Sequence, residues 1–343
     1  MMSEILPDVS SNNRPWPQIM ARYRQPNRWR SVLELAISLA PFILCWGLAW
    51  TSLAYGFWWG LVFTIPAAGF LVRLFMIQHD CGHGAFFAHR QADDWAGRII
   101  GILTMTPYDY WRRTHAQHHA TAGNLDMRGI GDVETLTVSE YRALSWSGRL
   151  RYRLYRHPIV MFGIGPLWLF LLQHRWPVGM MGSGAAPWIS TMATNIGIAL
   201  LGFALVWLLG WQALVLVHLP IVIMAATAGV WLFYVQHQFE ETHWAPASDW
   251  QFKEAALHGS SYYDLPGILG WLTANIGIHH VHHLASRIPF YRLPEVLRDY
   301  PELKAIGRIT IGDSLLGVKL VLWDEDRRKL VSFREAAAHP TAA

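Results

Sequence analysis

The chain has 343 residues, 52% of them hydrophobic and only 15% charged, where globular domains carry about 25% charged residues, so an ordinary soluble fold is excluded. The net charge of +4 is modest. Its basic clusters adjoin apolar segments, which argues for a membrane surface and against a nucleic-acid partner. The two cysteines, Cys45 and Cys81, make neither a disulfide framework nor a CxxC metal site.

The N-terminal segment, 1–30, is polar and carries Arg14, Arg22, Arg24, Arg28 and Arg30, without the apolar core of a cleaved signal peptide. From Leu35 to Val72 there is no Asp, Glu, Lys or Arg. That run is too long for one span of about 20 residues. Tyr55-Gly56 permits a turn, so it divides into helices over about 31–54 and 57–78. Ile99 to Tyr108 is apolar but too short to cross. A second basic group follows at Arg149, Arg151, Arg153 and Arg156. Pro158 to Gln173 is short for a span and contains Gly163, Gly165 and Pro166, which predicts an interfacial or re-entrant segment. Trp176 to Phe239 is again free of charge. Its Gly- and Pro-rich start, Pro177 to Pro187, reads as a loop, and spans over 188–209 and 212–235 follow, with a turn at Gly210.

Nineteen tryptophans beside these runs suit membrane interfaces. The positive residues orient the chain with both termini and the region between the second and third spans in the cytoplasm. The expected fold is an all-α integral membrane protein of the cytoplasmic (inner) membrane. Its four transmembrane helices form two hairpins under a histidine-rich cytoplasmic cap, with 31–300 as the main domain and 301–343 as a C-terminal segment.

Seventeen histidines are present, and three groups stand at helical spacing: His79 and His83; His115, His118 and His119; and His279 to His283, interrupted by Val281. Residues three and four apart share a helix face. Imidazole is the commonest metal ligand because its lone pair carries no net charge. No group holds the glutamate of a zinc-hydrolase HExxH or the ExxH of soluble di-iron bundles. So many imidazoles exceed the needs of one tetrahedral zinc, and imidazole suits iron. His89, His157, His174, His218, His243, His258 and His339 are isolated and read as structural or solvent-facing. His280 lies inside the third group at the wrong spacing. Asp80, Asn124, Asp126 and Asp132 stand near the groups as candidates to accept the second N–H of a ligating ring. Arg112 and Arg113 precede the second group and suit a phosphate headgroup or an ordinary interface.

HxxxH, HxxHH and HxxHH, in this order and interleaved with two apolar hairpins, resemble the membrane fatty acid desaturase family. The resemblance covers roughly residues 30 to 300. Its matching stretches are HDCGHGAFF from His79, PYDYWRRTHAQHHATAGNLDMRGIGD from Pro107, YVQHQFEE from Tyr234 and NIGIHHVHHLASRIPFYRL from Asn275. It is nearest to the bacterial acyl-lipid omega-6 (delta-12) branch. The resemblance implies two iron ions (Fe2+/Fe3+) held by His79, His83, His115, His118, His119, His279, His282 and His283, with His237 completing the shell. It implies O2 as co-substrate, a lipid-linked or thioester fatty acyl substrate, and a new cis double bond at the delta-12 position. GxGxxG, HPGG and CxxCH are absent, so no bound flavin or heme is expected and a separate donor such as ferredoxin must supply electrons. The alternatives are a di-iron hydroxylase or ketolase acting on an alkane, carotenoid or sphingolipid, which differs in product, and a metal transporter. A transport site belongs near the bilayer midplane, whereas these histidines stand at span ends.

Overall fold

The computed structural model describes residues 15–129 and 131–338; Arg14 and His339 lie outside them. Helix α1 (Arg28–Ala54) starts at Asn27, whose side-chain oxygen accepts from the Arg30 N–H at 3.0 Å, the geometry of an N-cap. The chain reverses at Tyr55-Gly56, and a 3-10 turn over Trp58–Phe63 leads into α2 (Thr64–His83). Helix α2 stops at Gly84, which takes φ 66°. A left-handed residue there lets the N–H groups of Gly84 and Ala85 reach the Cys81 and Asp80 carbonyls.

Helices α3 (Arg90–Leu103), α4 (Tyr108–Thr121) and α5 (Trp146–Tyr155) follow. The helical stretch Val160–Arg175 is bent by 58° from α5 and contains π-type turns. Helix α6 (Ala185–Leu209), a break at Gly210, a π-type turn over Ala213–His218 and α7 (Leu219–His237) come next. Short helices α8 (Gly267–Leu272) and α9 (His279–Leu284) carry the chain through the third histidine group.

Four stretches, Arg28–Ala54, Trp58–His83, Ala185–Leu209 and Ala213–His237, are long and apolar enough to cross a membrane. The sequence placed all four, but the second and fourth run further than expected, to His83 and His237. Burial of those ends in protein lets the helix continue through polar residues. Helix α6 exposes Ile189, Ile196, Leu200, Phe203 and Trp207 along its length, a surface suited to lipid rather than water. Helix α2 is the central element, packed against α1, α3 and α7.

The fold is mostly helical rather than all-α. Strands β1 (Leu136–Thr137), β2 (Tyr262–Tyr263), β3 (Arg308–Ile309), β4 (Leu322–Asp324) and β5 (Lys329–Val331) are short. One sheet has the order β1-β4-β5, with β1 parallel and β5 antiparallel to β4; β2 and β3 form a parallel pair. Extended backbone leaving solvent needs hydrogen-bond partners, and these ladders supply them where 301–338 lies against the preceding chain. One continuous core joins Leu71, Leu74 and Ile77 of α2 to Ile221 of α7 and to Val281, Ile288 and Leu293 around the third histidine group.

Arg156 departs from the surface role expected of its cluster. It is buried and bonds the Tyr234 hydroxyl, the Gln238 side chain and the carbonyls of Glu134 and Leu320. Its neighbours Arg149, Arg151 and Arg153 remain exposed.

Candidate metal centre

His79 and His83 occupy the last turns of α2. His115, His118 and His119 occupy those of α4, His237 is the last residue of α7, and α9 carries His279, His282 and His283. The carbonyl end of a helix bears partial negative charge, which favours a cation where α2, α4 and α7 end. The imidazoles form two groups: His79, His83, His115, His119 and His282; and His118, His237, His279 and His283. Within each, the ligand nitrogens lie within 4.8 Å of one another.

The boxes interleave. His115 and His119 join the first group while His118 joins the second; His279 and His283 join the second while His282 joins the first. In the first group the Nε2 atoms of His83 and His115, His115 and His119, and His119 and His282 are each 3.1 Å apart. In the second, His283 Nε2 is 3.1 Å from Nε2 of both His237 and His279. Nitrogens about 2.1 Å from a shared ion and at right angles to one another would be about 3 Å apart. The buried His118 Nε2 has no hydrogen-bond partner. This donor set fits a metal ion at the centre of each group.

Three rings are fixed through the other nitrogen. His79 Nδ1 contacts Asp80 Oδ1 at 3.1 Å, His118 Nδ1 contacts Asp132 Oδ1 at 2.5 Å, and His237 Nδ1 contacts the Phe233 carbonyl at 2.9 Å. An acceptor at Nδ1 keeps the proton there and leaves the Nε2 lone pair for a ligand. Burial, with the charge of neighbouring histidines, holds His115, His119, His279, His282 and His283 well below the usual imidazole pKa. They are therefore neutral, the form that donates to a metal.

The side chains of Asn124 and Asp126 serve a loop instead. Asn124 Oδ1 accepts from the Asp126 N–H at 2.9 Å, and Asp126 Oδ2 accepts from the Ala247 N–H at 2.7 Å. Arg112 is paired with Asp94 at 3.1 Å and lies 3.8 Å from Asp109, while Arg113 is exposed. His280 is buried beside Tyr262, ring centroids 6.0 Å apart, and belongs to neither group. The isolated histidines within the described residues join neither group. Sequence reasoning missed Gln236, whose side chain donates to the Ile276 carbonyl at 3.0 Å and ties the end of α7 to the third box.

Apolar spans ending in a buried, metal-type histidine centre define a class of membrane enzyme. The chain belongs to the fatty acid desaturase family, which it matches over residues 56–308, a stretch containing every histidine of both groups. It is 42% identical over 315 residues to a fatty acid desaturase of Bacillus subtilis (strain 168), covering 92% of this chain and 89% of the relative. An sn-1 acyl-lipid omega-3 desaturase (ferredoxin) of Synechocystis sp. is 31% identical over 235 residues, 64% of this chain and 61% of the relative. An sn-1 oleoyl-lipid 12-desaturase of the same organism is 27% identical over 280 residues, 77% and 73% of the two chains. The expectation of a fatty acid desaturase therefore stands over that of a hydroxylase, ketolase or transporter.

Proposed function

We propose that this chain introduces a cis double bond into acyl lipids, at the delta-12 position, using O2 and two irons held by His79, His83, His115, His118, His119, His237, His279, His282 and His283. The observation that carries the two-iron reading is the division of these residues into a five-histidine and a four-histidine set at ligand separation. When bound, the irons supply the oxygen-derived oxidant that an unactivated methylene requires and no side chain provides. Overall, adjacent methylenes give up two hydrogens, and O2 with two electrons and two protons leaves as two waters.

The chain's own residues do the holding. Nine imidazoles present lone pairs, and Asp80 and Asp132 keep the protons of His79 and His118 on the outer nitrogens. Burial of the centre keeps bulk water from a reactive oxidant. The electrons come from a ferredoxin-type donor at the cytoplasmic face. The 31% identical relative is an acyl-lipid omega-3 desaturase (ferredoxin), which supports that choice, and the oleoyl-lipid 12-desaturases support the bond position. The two hairpins and the cytoplasmic cap belong to the same reading.

Gas chromatography of lipids from a host rich in monounsaturated acids, with double bonds located by derivatisation, tests it. Expression of the chain should create a diene with its new bond at delta-12. A new bond elsewhere would discard the position alone. An unchanged lipid profile with an active donor supplied would discard the substrate.

A further inference from the structure

The first charge-free run is bounded by Glu34 and Arg73, and the two residues meet. Arg73 Nη2 donates to Glu34 Oε2, both side chains being 1% exposed, and Arg30 closes on the other carboxylate oxygen at 2.7 Å. A buried ion pair is a poor source of stability, since a well-packed apolar pair often serves as well. Polar groups retained in membrane spans mark function more often than strength.

The rest of Arg73 faces the chain that carries the third histidine box. Its Nη1 donates to the Trp271 carbonyl in α8, and the guanidinium lies 4.2 Å from the centroid of the Trp271 ring and 5.3 Å from that of Phe290. One turn earlier on α2, a Cβ at Gly69 would stand 2.6 Å from Leu272 Cδ2, so α8 rests against bare helix backbone. Two turns later, Asp80 Oδ2 accepts from the Phe290 N–H at 2.7 Å. The stretch from Trp271 to Phe290 is thus fastened to α2 at both ends. Between the fastenings lie His279, His282 and His283; beyond Asp80 on α2 lies His83, whose group takes His282.

The geometry points to Arg73 as a positioning residue for the metal centre: oriented by Glu34, it seats Trp271 on α2 and so sets the third histidine box against the first. The inference rests on the two-iron reading above. Charge pairing and seating can be separated chemically. A lysine still neutralises Glu34, but its compact ammonium lacks the planar fork and stacking face that reach the Trp271 carbonyl and ring. Loss of seating leaves the ligands present but misplaced, as when partners behind metal ligands are removed, which costs about 10- to 100-fold in metal affinity.

The test is anaerobic titration of the metal-depleted, detergent-purified full chain with Fe(II), and with Co(II), whose visible absorption reports coordination. Size-exclusion profile and thermal unfolding establish folding. Arg73→Lys should fold like the native chain yet bind both metals about tenfold or more weakly, with an altered cobalt spectrum. Trp271→Ala, at a partly exposed position, should weaken metal binding in the same direction. Native affinity and spectrum in either folded variant would overturn the role of Arg73. A native chain that binds no metal, or whose His282→Ala variant binds it fully, would instead overturn the two-iron reading.

Discussion

His118 and His119 are neighbours in the chain, yet they serve different ligand sets, 118 with His237 and 119 with His83. Successive residues on a helix point about 100° apart, so an HxxHH box can offer its i and i+4 rings to one ion and its i+3 ring to another. His118→Ala and His237→Ala each reduce the four-histidine set to three. Each should lower iron from about two per chain toward one and abolish desaturation, while His243→Ala should change neither; elemental analysis of purified protein with product assay decides this. Asp132 and Asp126 make a sharper contrast, since the first touches His118 and the second holds Ala247. Asp132→Ala should weaken iron binding about 10- to 100-fold, and Asp126→Ala should leave it unchanged; equal losses would mean that the loop, not the His118 proton, matters. All nine clustered histidines were legible from spacing and resemblance. Their division into two sets was not, because it depends on how α4 and α9 rotate against α2 and α7. Nor was the different use of two nearby aspartates, which is set by where each loop returns.

At the scale of elements, the spans were legible because charge is absent over long runs, and the turns because Gly56 and Gly210 punctuate them. Helix ends were misplaced because the sequence hides which polar residues are buried in protein. The Glu34–Arg73 pair was invisible for a related reason: each residue only marked the border of an apolar run. Helix α5 was half legible. Trp146, Leu150 and Leu154 form an exposed ridge at four-residue spacing, flanked by exposed Arg149, Arg151 and Arg153, while Tyr152 and Arg156 face inward. No Asp or Glu occurs from Tyr141 to Phe239. An apolar ridge between rows of arginine suits a helix lying in an anionic headgroup layer. A fluorophore on Leu150→Cys, in a chain with Cys45→Ser, should be quenched by lipids brominated near the headgroup, more strongly in anionic than in zwitterionic bilayers. An unquenched label would move α5 out of the interface.

Across the whole molecule, the histidine sets constrain how often the chain crosses the bilayer. His83 ends α2, His237 ends α7, and their groups meet through His118 and His119, consecutive residues of α4. The rings of His118 and His237 are 4.7 Å apart. Both helix ends must therefore lie on one side of the membrane, and the chain between them must cross an even number of times. Helices α6 and α7 account for two crossings. Were the bent stretch Val160–Arg175 a third, His237 would emerge on the side opposite His118. Its exposed Ile164, Trp168 and Leu172 are then expected to lie in a segment that dips into the lipid and returns. The positive-inside rule predicts that the arginine-rich side is cytoplasmic. A reporter active only in the periplasm should accordingly stay silent when fused after Ala343 and should report when inserted at Tyr55 or at Gly210. A signal from the C-terminal fusion, with Tyr55 also reporting, would mean that the bent stretch crosses. It would also carry His237 and the third histidine group away from His118, so in that case neither His237→Ala nor His282→Ala should lower the iron content.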